Sequence, residues 1–414
     1  MFKKWFKFLA VFIIFLHILI PLKVRAQLII GQYKDEAPLR TWNIFGLATG
    51  GSLSMGGAHY AHAFDLSSSL TNPSQLSRLP KFTAVLNGSL TIASLFKYSL
   101  VNTGPVRTNG NSLLTLYSLD FGGISLNLNG WGVSINTSIL ENYDRPPASY
   151  QYKERDSVVY QLDFEQTGLL RNTNLSLSKN LGNQILFGLG INLVSGEINK
   201  ALNENFNQSI IIITDKKSHK LKGFYLNGGL TFFVSEDFQV AAVFRTPYKK
   251  NSDSHSILRY EAAPVETDIK ITSRDASSFW QPFILGAGIN YRFSEKIRVV
   301  ADATFYNWSK YKANFFGEEK TRNFKNIIHF GTGIEYLNTT KLFGLEFETP
   351  IWMGLCYDPQ PMKNINSTYY HVTFGTGLIF QNFFLHGGAS LGFENGSGDG
   401  LRGRRVALTL GYKR

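Results

Sequence analysis

Few residues of this chain have the types and spacings that chemistry needs. His59-Tyr60-Ala61-His62 sets two imidazoles close together, but no Cys or carboxylate stands at ligand spacing beside them. Packing, not metal binding, is the reading for both. Glu394-Asn395-Gly396-Ser397-Gly398-Asp399-Gly400 offers oxygen ligands and glycines without the spacing of a calcium loop, and reads as an outer loop. Cys356 is the single cysteine, which excludes an internal disulfide; it reads as a small buried hydrophobe. No phosphate-binding loop and no H-E-x-x-H occurs. An outer-membrane lipid hydrolase would need a nucleophile and base side by side on one wall, and no local motif supplies them. The reading is therefore not an enzyme, with no cofactor and no metal. One polar pair stands out: Arg292 and Asp302 both fall on inward positions of strand alternation, as a lumen ion pair.

The elements that hold these residues follow from composition and period. Lys3, Lys4 and Lys7 form a positive n-region, Phe8 to Ile20 an apolar h-region, and Val24-Arg25-Ala26 a small-residue cleavage site. Residues 1–26 thus read as a signal peptide, with the mature chain starting at Gln27. No later stretch approaches 18 consecutive apolar residues, so no helical span is expected. With 38 Gly, 33 Phe, 19 Tyr and 17 % charged residues, the chain is poorer in charge than the roughly 25 % of soluble domains. Removing the five cations of the leader lowers the formal charge from +12 to +7. That is a solvated surface able to touch anionic outer-membrane lipid. No basic stripe interleaved with aromatics is present, so nucleic acid is not a partner.

From Phe82 onward the sequence alternates. Ile185, Phe187, Leu189, Ile191 and Leu193 alternate with Leu186, Gly188, Gly190 and Asn192; Leu408 and Leu410 alternate with Ala407 and Thr409. One face is large and apolar, the other small and polar, as in a membrane barrel whose lumen is solvated or filled. Tight turns at Asn129-Gly130, Leu181-Gly182-Asn183, Ser235-Glu236-Asp237, Ser294-Glu295-Lys296, Asn338-Thr339-Thr340 and Gln381-Asn382 alternate with longer polar connectors. These include 141–160, 196–220 and 247–280. Six turns and seven connectors join fourteen strands, the even number, short turns and long outer loops of an outer-membrane barrel. Ser256–Glu261 and Glu266–Thr272 read as a hairpin extending an outer loop; if they crossed the membrane the count would be sixteen. Trp131, Phe233, Phe238, Tyr291, Phe293, Trp308 and Tyr412 near strand ends suit interfacial girdles. Ile210 to Ile213 is either a strand packing on its neighbours or an apolar capture surface. The stretch Met55 to Leu79, rich in Gly, Ala and Ser, fits neither pattern and reads as a plug.

That stretch carries a resemblance. Ser54 to Pro80, SMGGAHYAHAFDLSSSLTNPSQLSRLP, is similar to the N-terminal hatch of the FadL/TodX-type outer-membrane transporters of long-chain fatty acids and aromatic hydrocarbons. Their Gly-Gly-Ala is here Gly56-Gly57-Ala58, and their Asn-Pro-Ala-x-Leu is Asn72-Pro73-Ser74-Gln75-Leu76, with Ser for Ala. Val243-Phe244-Arg245-Thr246-Pro247, Ala301 to Lys310 and Pro350 to Pro359 resemble further family segments in the family's order. The resemblance implies an all-β, antiparallel transmembrane β-barrel of fourteen strands, with 1–26 as signal peptide, 27–81 as an N-terminal plug or hatch, and 82–414 as barrel. It implies a Gram-negative outer-membrane location and a hydrophobic small-molecule or lipid substrate captured in the barrel. Release would be lateral, through a kink in the third strand near Trp131–Ile139. Asn72, Pro73 and Ser74 would be the gate turn, and Gly56, Gly57 and Ala58 the plug packing. The chain would be a monomer; the alternative is a non-transporting barrel subunit of an outer-membrane secretion or assembly complex.

Overall fold

The computed structural model describes residues 44–94, 113–154, 157–182, 184–207, 211–262, 267–315, 318–321, 324–342, 345–361, 363, 366–396 and 402–414. The expected signal peptide and residues 27–43 lie outside them. The wall is a single closed antiparallel ring. Its strands are β1 (Phe82–Ser94), β2 (Leu113–Leu128), β3 (Trp131–Asn142, continued by Arg145–Glu154), β4 (Ser157–Asn180) and β5 (Ile185–Phe206). There follow β6 (Ile211–Phe233), β7 (Phe238–Arg245 and Tyr248–Ala262), β8 (Thr267–Gln281 and Ile284–Arg292) and β9 (Ile297–Tyr306, continued by Lys312–Phe315). The ring ends with β10 (Glu318–Thr321 and Ile327–Leu342), β11 (Leu345–Pro359), β12 (Thr368–Phe380), β13 (Phe383–Asn395) and β14 (Arg402–Lys413), which pairs back onto β1 from Thr83↔Lys413 to Ala93↔Gly403. The expected fourteen strands are the observed ones.

Each wall strand obeys the two-residue period. On β5 the side chains of Ile185, Phe187, Leu189, Ile191 and Leu193 are exposed, while Leu186, Asn192 and Val194 are buried inward. The same exposed apolar row continues through Leu175 and Leu177 on β4 and Phe224, Leu226, Leu230 and Phe232 on β6. A band of exposed apolar side chains around a closed sheet is what lipid contact requires, because closure satisfies every ladder hydrogen bond within the protein. Among the described residues no helix is long and apolar enough to cross a membrane. The Asn129-Gly130 turn has both residues at positive φ, 53° and 77°, the geometry that matches a hairpin's twist and that Asn-Gly tolerates best.

Three expectations are corrected. The polar stretches 141–160, 196–220 and 247–280 are largely ladder, not loop. Beyond the apolar band, β5 runs on from Ser195 to Phe206 and stays paired to β4 and β6, about 40 Å at 3.3 Å per residue. Loss of apolar alternation marks where lipid ends, not where the strand ends. Ile211, Ile212 and Ile213 accordingly lie in the β6 ladder. The stretches 256–261 and 267–272 do form the expected hairpin, as the outer ends of β7 and β8, which are interrupted at Thr246-Pro247 and Pro282-Phe283, where proline has no ladder donor. Second, Phe233 and Trp308 are buried inward and do not join a girdle, whereas Trp131, Tyr291 and Phe293 are exposed. Third, β3 is paired on both sides from Trp131 to Ser138, so no gap opens at the expected kink. Among the described residues, the wall parts higher up. The β2–β3 ladder stops at Phe121↔Ser138, while β2 continues to Leu113 against β1 and β3 leans on β4.

Residues 44–80 lie inside the ring as a luminal segment. It holds a short helix α1 (Gly50–Ser54) and two 3-10 turns, Leu66–Leu70 and Pro73–Arg78. Small inward residues let it touch the wall backbone to backbone. A Cβ added to Gly354 would strike the backbone of Met55 and Gly56, and one added to Gly188 the backbone of Pro73 and Ser74. Gly56 itself sits at φ +67°, a conformation other residues rarely adopt. We expect Gly354→Val to leave a heat-modifiable barrel but to expose the luminal segment to protease. Gly387→Ala, whose Cβ would meet only one carbonyl at 3.9 Å, should leave protection unchanged.

Candidate functional site

The Asn72-Pro73-Ser74 turn is a cap. Pro73 opens the 3-10 turn where its missing N–H costs nothing, and the Asn72 side chain accepts from the Ser74 N–H at 3.2 Å. The Asn72 amide donates to the Tyr60 carbonyl at 2.6 Å and to the Thr231 hydroxyl at 2.9 Å. The Ser74 hydroxyl, absent from the Asn-Pro-Ala pattern, bonds Asn72 Oδ1 at 2.6 Å and sits 2.9 Å from Thr231 Oγ1. All three residues are buried. The turn is thus tied to β6, and Leu76 next to it packs on Gly132 of β3. Gly56 and Ala58 are buried against β10 and β11 and Gly57 faces Ile44 of the same segment, with the Gly56 N–H donating to Thr373 Oγ1 on β12 at 2.9 Å.

Arg292 and Asp302 are not brought together. Asp302 is buried on β9 opposite Gly288 and accepts from the backbone N–H groups of His59 (2.6 Å) and Tyr60 (2.9 Å). Arg292 lies at the end of β8 opposite Arg298, and its Nε donates to Asp237 at 2.8 Å in an exposed pair. Inward register was right for Asp302, but Arg292 is four positions farther along the ladder, at the turn end. Asp302 anchors the luminal segment, and a carboxylate that accepts two backbone donors is well suited to that.

One further anchor was beyond sequence reasoning. Asn136 (β3), Asn174 (β4), Asn192 (β5) and Asn227 (β6) form a hydrogen-bonded belt across four strands, at 3.0, 3.0 and 2.7 Å in turn. Asn136 and Asn227 also donate to Ser69 of the luminal segment, at 2.9 Å each. The signal was an Asn on each of four inward faces, legible only once the register is known. The expectation that no local nucleophile motif occurs is corrected: Gly388-Ala389-Ser390-Leu391-Gly392 has the G-x-S-x-G spacing, but it lies within β13 rather than on a strand-to-helix turn, and buried Ser390 Oγ has no partner. Cys356 is buried with its Sγ 3.1 Å from His329 Nε2. Among the described residues no group of three or more His, Cys, Asp or Glu could hold a metal.

Two cavities share no lining residue, and the luminal segment contributes to both. On the turn side, a recess of 810 Å³ is lined by Arg78, Phe233, Asp237 and Arg292 among others. On the outer side, a cavity of 130 Å³ lies behind the β2–β3 opening. Leu116, Ser118 and Asp120 line it from β2 and Ser138 to Asn142 from β3; Phe45, Tyr225, Arg245, Tyr306 and Trp308 face them. Two buried ion pairs border it: Lys250–Glu141 at 2.6 Å, with the Tyr143 hydroxyl 3.0 Å from Lys250, and Arg405–Asp120 at 2.8 Å.

A family model described as BamG matches residues 47–403. The chain belongs to the BamG family. No curated protein matches it. Among solved structures, this BamG-family chain is similar to the Ralstonia pickettii toluene transporter TbuX, with TM-score 0.64, 14 % identity, and 90 % of this chain and 99 % of that chain covered. A FadL homologue of Pseudomonas aeruginosa gives TM-score 0.63 and 13 % identity over 88 % of this chain and 98 % of that chain. The Pseudomonas putida toluene transporter TodX gives 0.60 and 13 % over 88 % and 97 %. The FadL/TodX resemblance read from the sequence is thus a shared fold, while the matching family model carries another name for the same class of barrel.

Burial sets a pH dependence on luminal docking. His59 Nδ1 donates to the Gly57 carbonyl at 2.7 Å, Nε2 has no partner, and burial holds the imidazole down to about 4. A histidine whose pKa is lower folded than unfolded contributes fully above about 6.5 and destabilises as pH falls toward 4. At pH 5 this amounts to about 2 kcal/mol. Hydrogen exchange, corrected for intrinsic rates, should show residues 50–80 losing protection between pH 7.5 and pH 5. His59→Asn should shrink that difference.

Proposed function

We propose that this chain is an outer-membrane barrel that takes up small hydrophobic molecules through the cavity behind the β2–β3 opening. The observation that carries the reading is the coincidence of three features: the ladder stops at Phe121↔Ser138, a cavity lies immediately behind, and exposed apolar side chains (Leu119, Tyr117) flank it. A molecule held there can pass sideways into lipid without crossing a polar layer again. The luminal segment, tied to the wall by Asp302, Thr231 and the asparagine belt, acts as the plug that closes the direct route. Asn72, Pro73 and Ser74 position the plug in this reading. The printed names of the similar structures, toluene transporters among them, point the same way. Size narrows the substrate: 130 Å³ is close to the roughly 150 Å³ apolar cavity that accepts benzene, and too small for a long acyl chain.

A second reading has its own observation. The plug is bonded to many strands and the strands β4 to β8 rise far beyond the apolar band, leaving residues 267–277 of β8 unpaired on one side among the described residues. A rigid, filled barrel with a free sheet edge suits a non-transporting subunit of an outer-membrane secretion or assembly complex. Uptake separates the two. Ser138→Phe should fill the opening and cut toluene uptake by at least tenfold with normal barrel assembly, while Gln239→Trp on the turn-side recess should not. Unchanged uptake in Ser138→Phe, together with co-purification of other outer-membrane proteins, would favour the second reading.

A further inference from the structure

Among the described residues that line the outer cavity, Arg245 is the charged group without an ion-pair partner. Its side chain is only 8 % exposed, and one Nη donates to the Pro282 carbonyl at 3.0 Å. Its guanidinium carbon lies 5.9, 5.6 and 5.3 Å from the ring centres of Phe45, Tyr225 and Tyr248. Its Nε is buried with no partner. The other charged lining groups cancel in pairs, Glu141 with Lys250 and Asp120 with Arg405, and the buried Asp358, near Tyr306, makes no ion pair with Arg245. No acid among the described residues pairs with Arg245. A buried cation without a counter-charge costs several kcal/mol, which ring faces only partly offset. A guanidinium is also the group best shaped to bind a carboxylate through two parallel hydrogen bonds.

We propose that the outer cavity is a binding site for a small aromatic carboxylate, whose acid group pairs with Arg245 and whose ring packs among Phe45, Tyr225, Tyr306 and Trp308. This rests on the uptake reading above and names its substrate class. Volume admits one ring; Arg245 holds the acid as its anion, and on leaving the guanidinium the carboxylate takes up a proton from solvent, so that the neutral acid is the form that passes into lipid. Entry is at the β2–β3 opening, where Ser118 and Ser138 give the carboxylate polar neighbours before it reaches the guanidinium.

The test is equilibrium binding to the full chain in lipid nanodiscs, with benzoate and toluene as probes of nearly equal size. Benzoate should bind wild type at least tenfold more tightly than toluene. Arg245→Gln should lose at least tenfold in benzoate affinity and leave toluene unchanged, and Arg245→Lys should recover part of the loss. Toluene binding without benzoate binding, or benzoate binding untouched by Arg245→Gln, overturns the anion site and leaves the uptake reading standing. Failure of both probes to bind overturns both. Should Arg245→Gln not assemble, the benzoate-to-toluene ratio in wild type decides alone.

Discussion

The structure depends on one constraint: a ring of fourteen strands encloses more space than its own side chains can fill. Closing a sheet removes every edge, which lipid demands, but it leaves a wide lumen. Here residues 44–80 occupy much of it. A backbone segment inside a barrel brings its own N–H and C=O groups, and each must find a partner. That explains why the inward face is small and polar. Glycines admit the segment to backbone contact, while Asp302, Thr231, Thr373 and the asparagine belt satisfy its donors and acceptors.

The same economy shows in where the wall is allowed to open. Below Ser138, β3 is held on both sides and pressed by Leu76 of the luminal segment. Above it, an extra residue at Asp120 shifts the β1–β2 register, and another shift falls at Ile139/Glu141 on β3. Bulges bend strands and end pairing, so two on adjacent strands part the wall locally. The buried acids beside that parting, Asp120 and Glu141, are each matched by a cation from a distant strand, Arg405 and Lys250. Among the described lining residues, Arg245 has no such partner.

Membership of the BamG family and likeness to hydrocarbon transporters describe the same barrel from two sides. Fold does not fix function on such a scaffold. The features that can separate uptake from a purely structural role are local: an opening, a cavity and one unbalanced charge on one side, and a filled lumen with a tall outer sheet on the other.

Alternation, turn dipeptides and connector lengths were enough to count the strands and say which face meets lipid, because lipid contact imposes a period of two on every strand independently of its neighbours. The turn at Asn72-Pro73 was also legible, since local backbone chemistry dictates it, whereas the Gly-Gly-Ala segment was marked only by its resemblance to the hatch of other barrels. What a side chain meets across the lumen was not. The Arg292–Asp302 pair failed because ladder offset, not inwardness, sets distance. The asparagine belt, the β2–β3 parting and the isolation of Arg245 depend on the register of strands far apart in sequence. Register is a property of the closed ring, so period and spacing determined the barrel and its faces, and only the tertiary structure decided which inward residues meet.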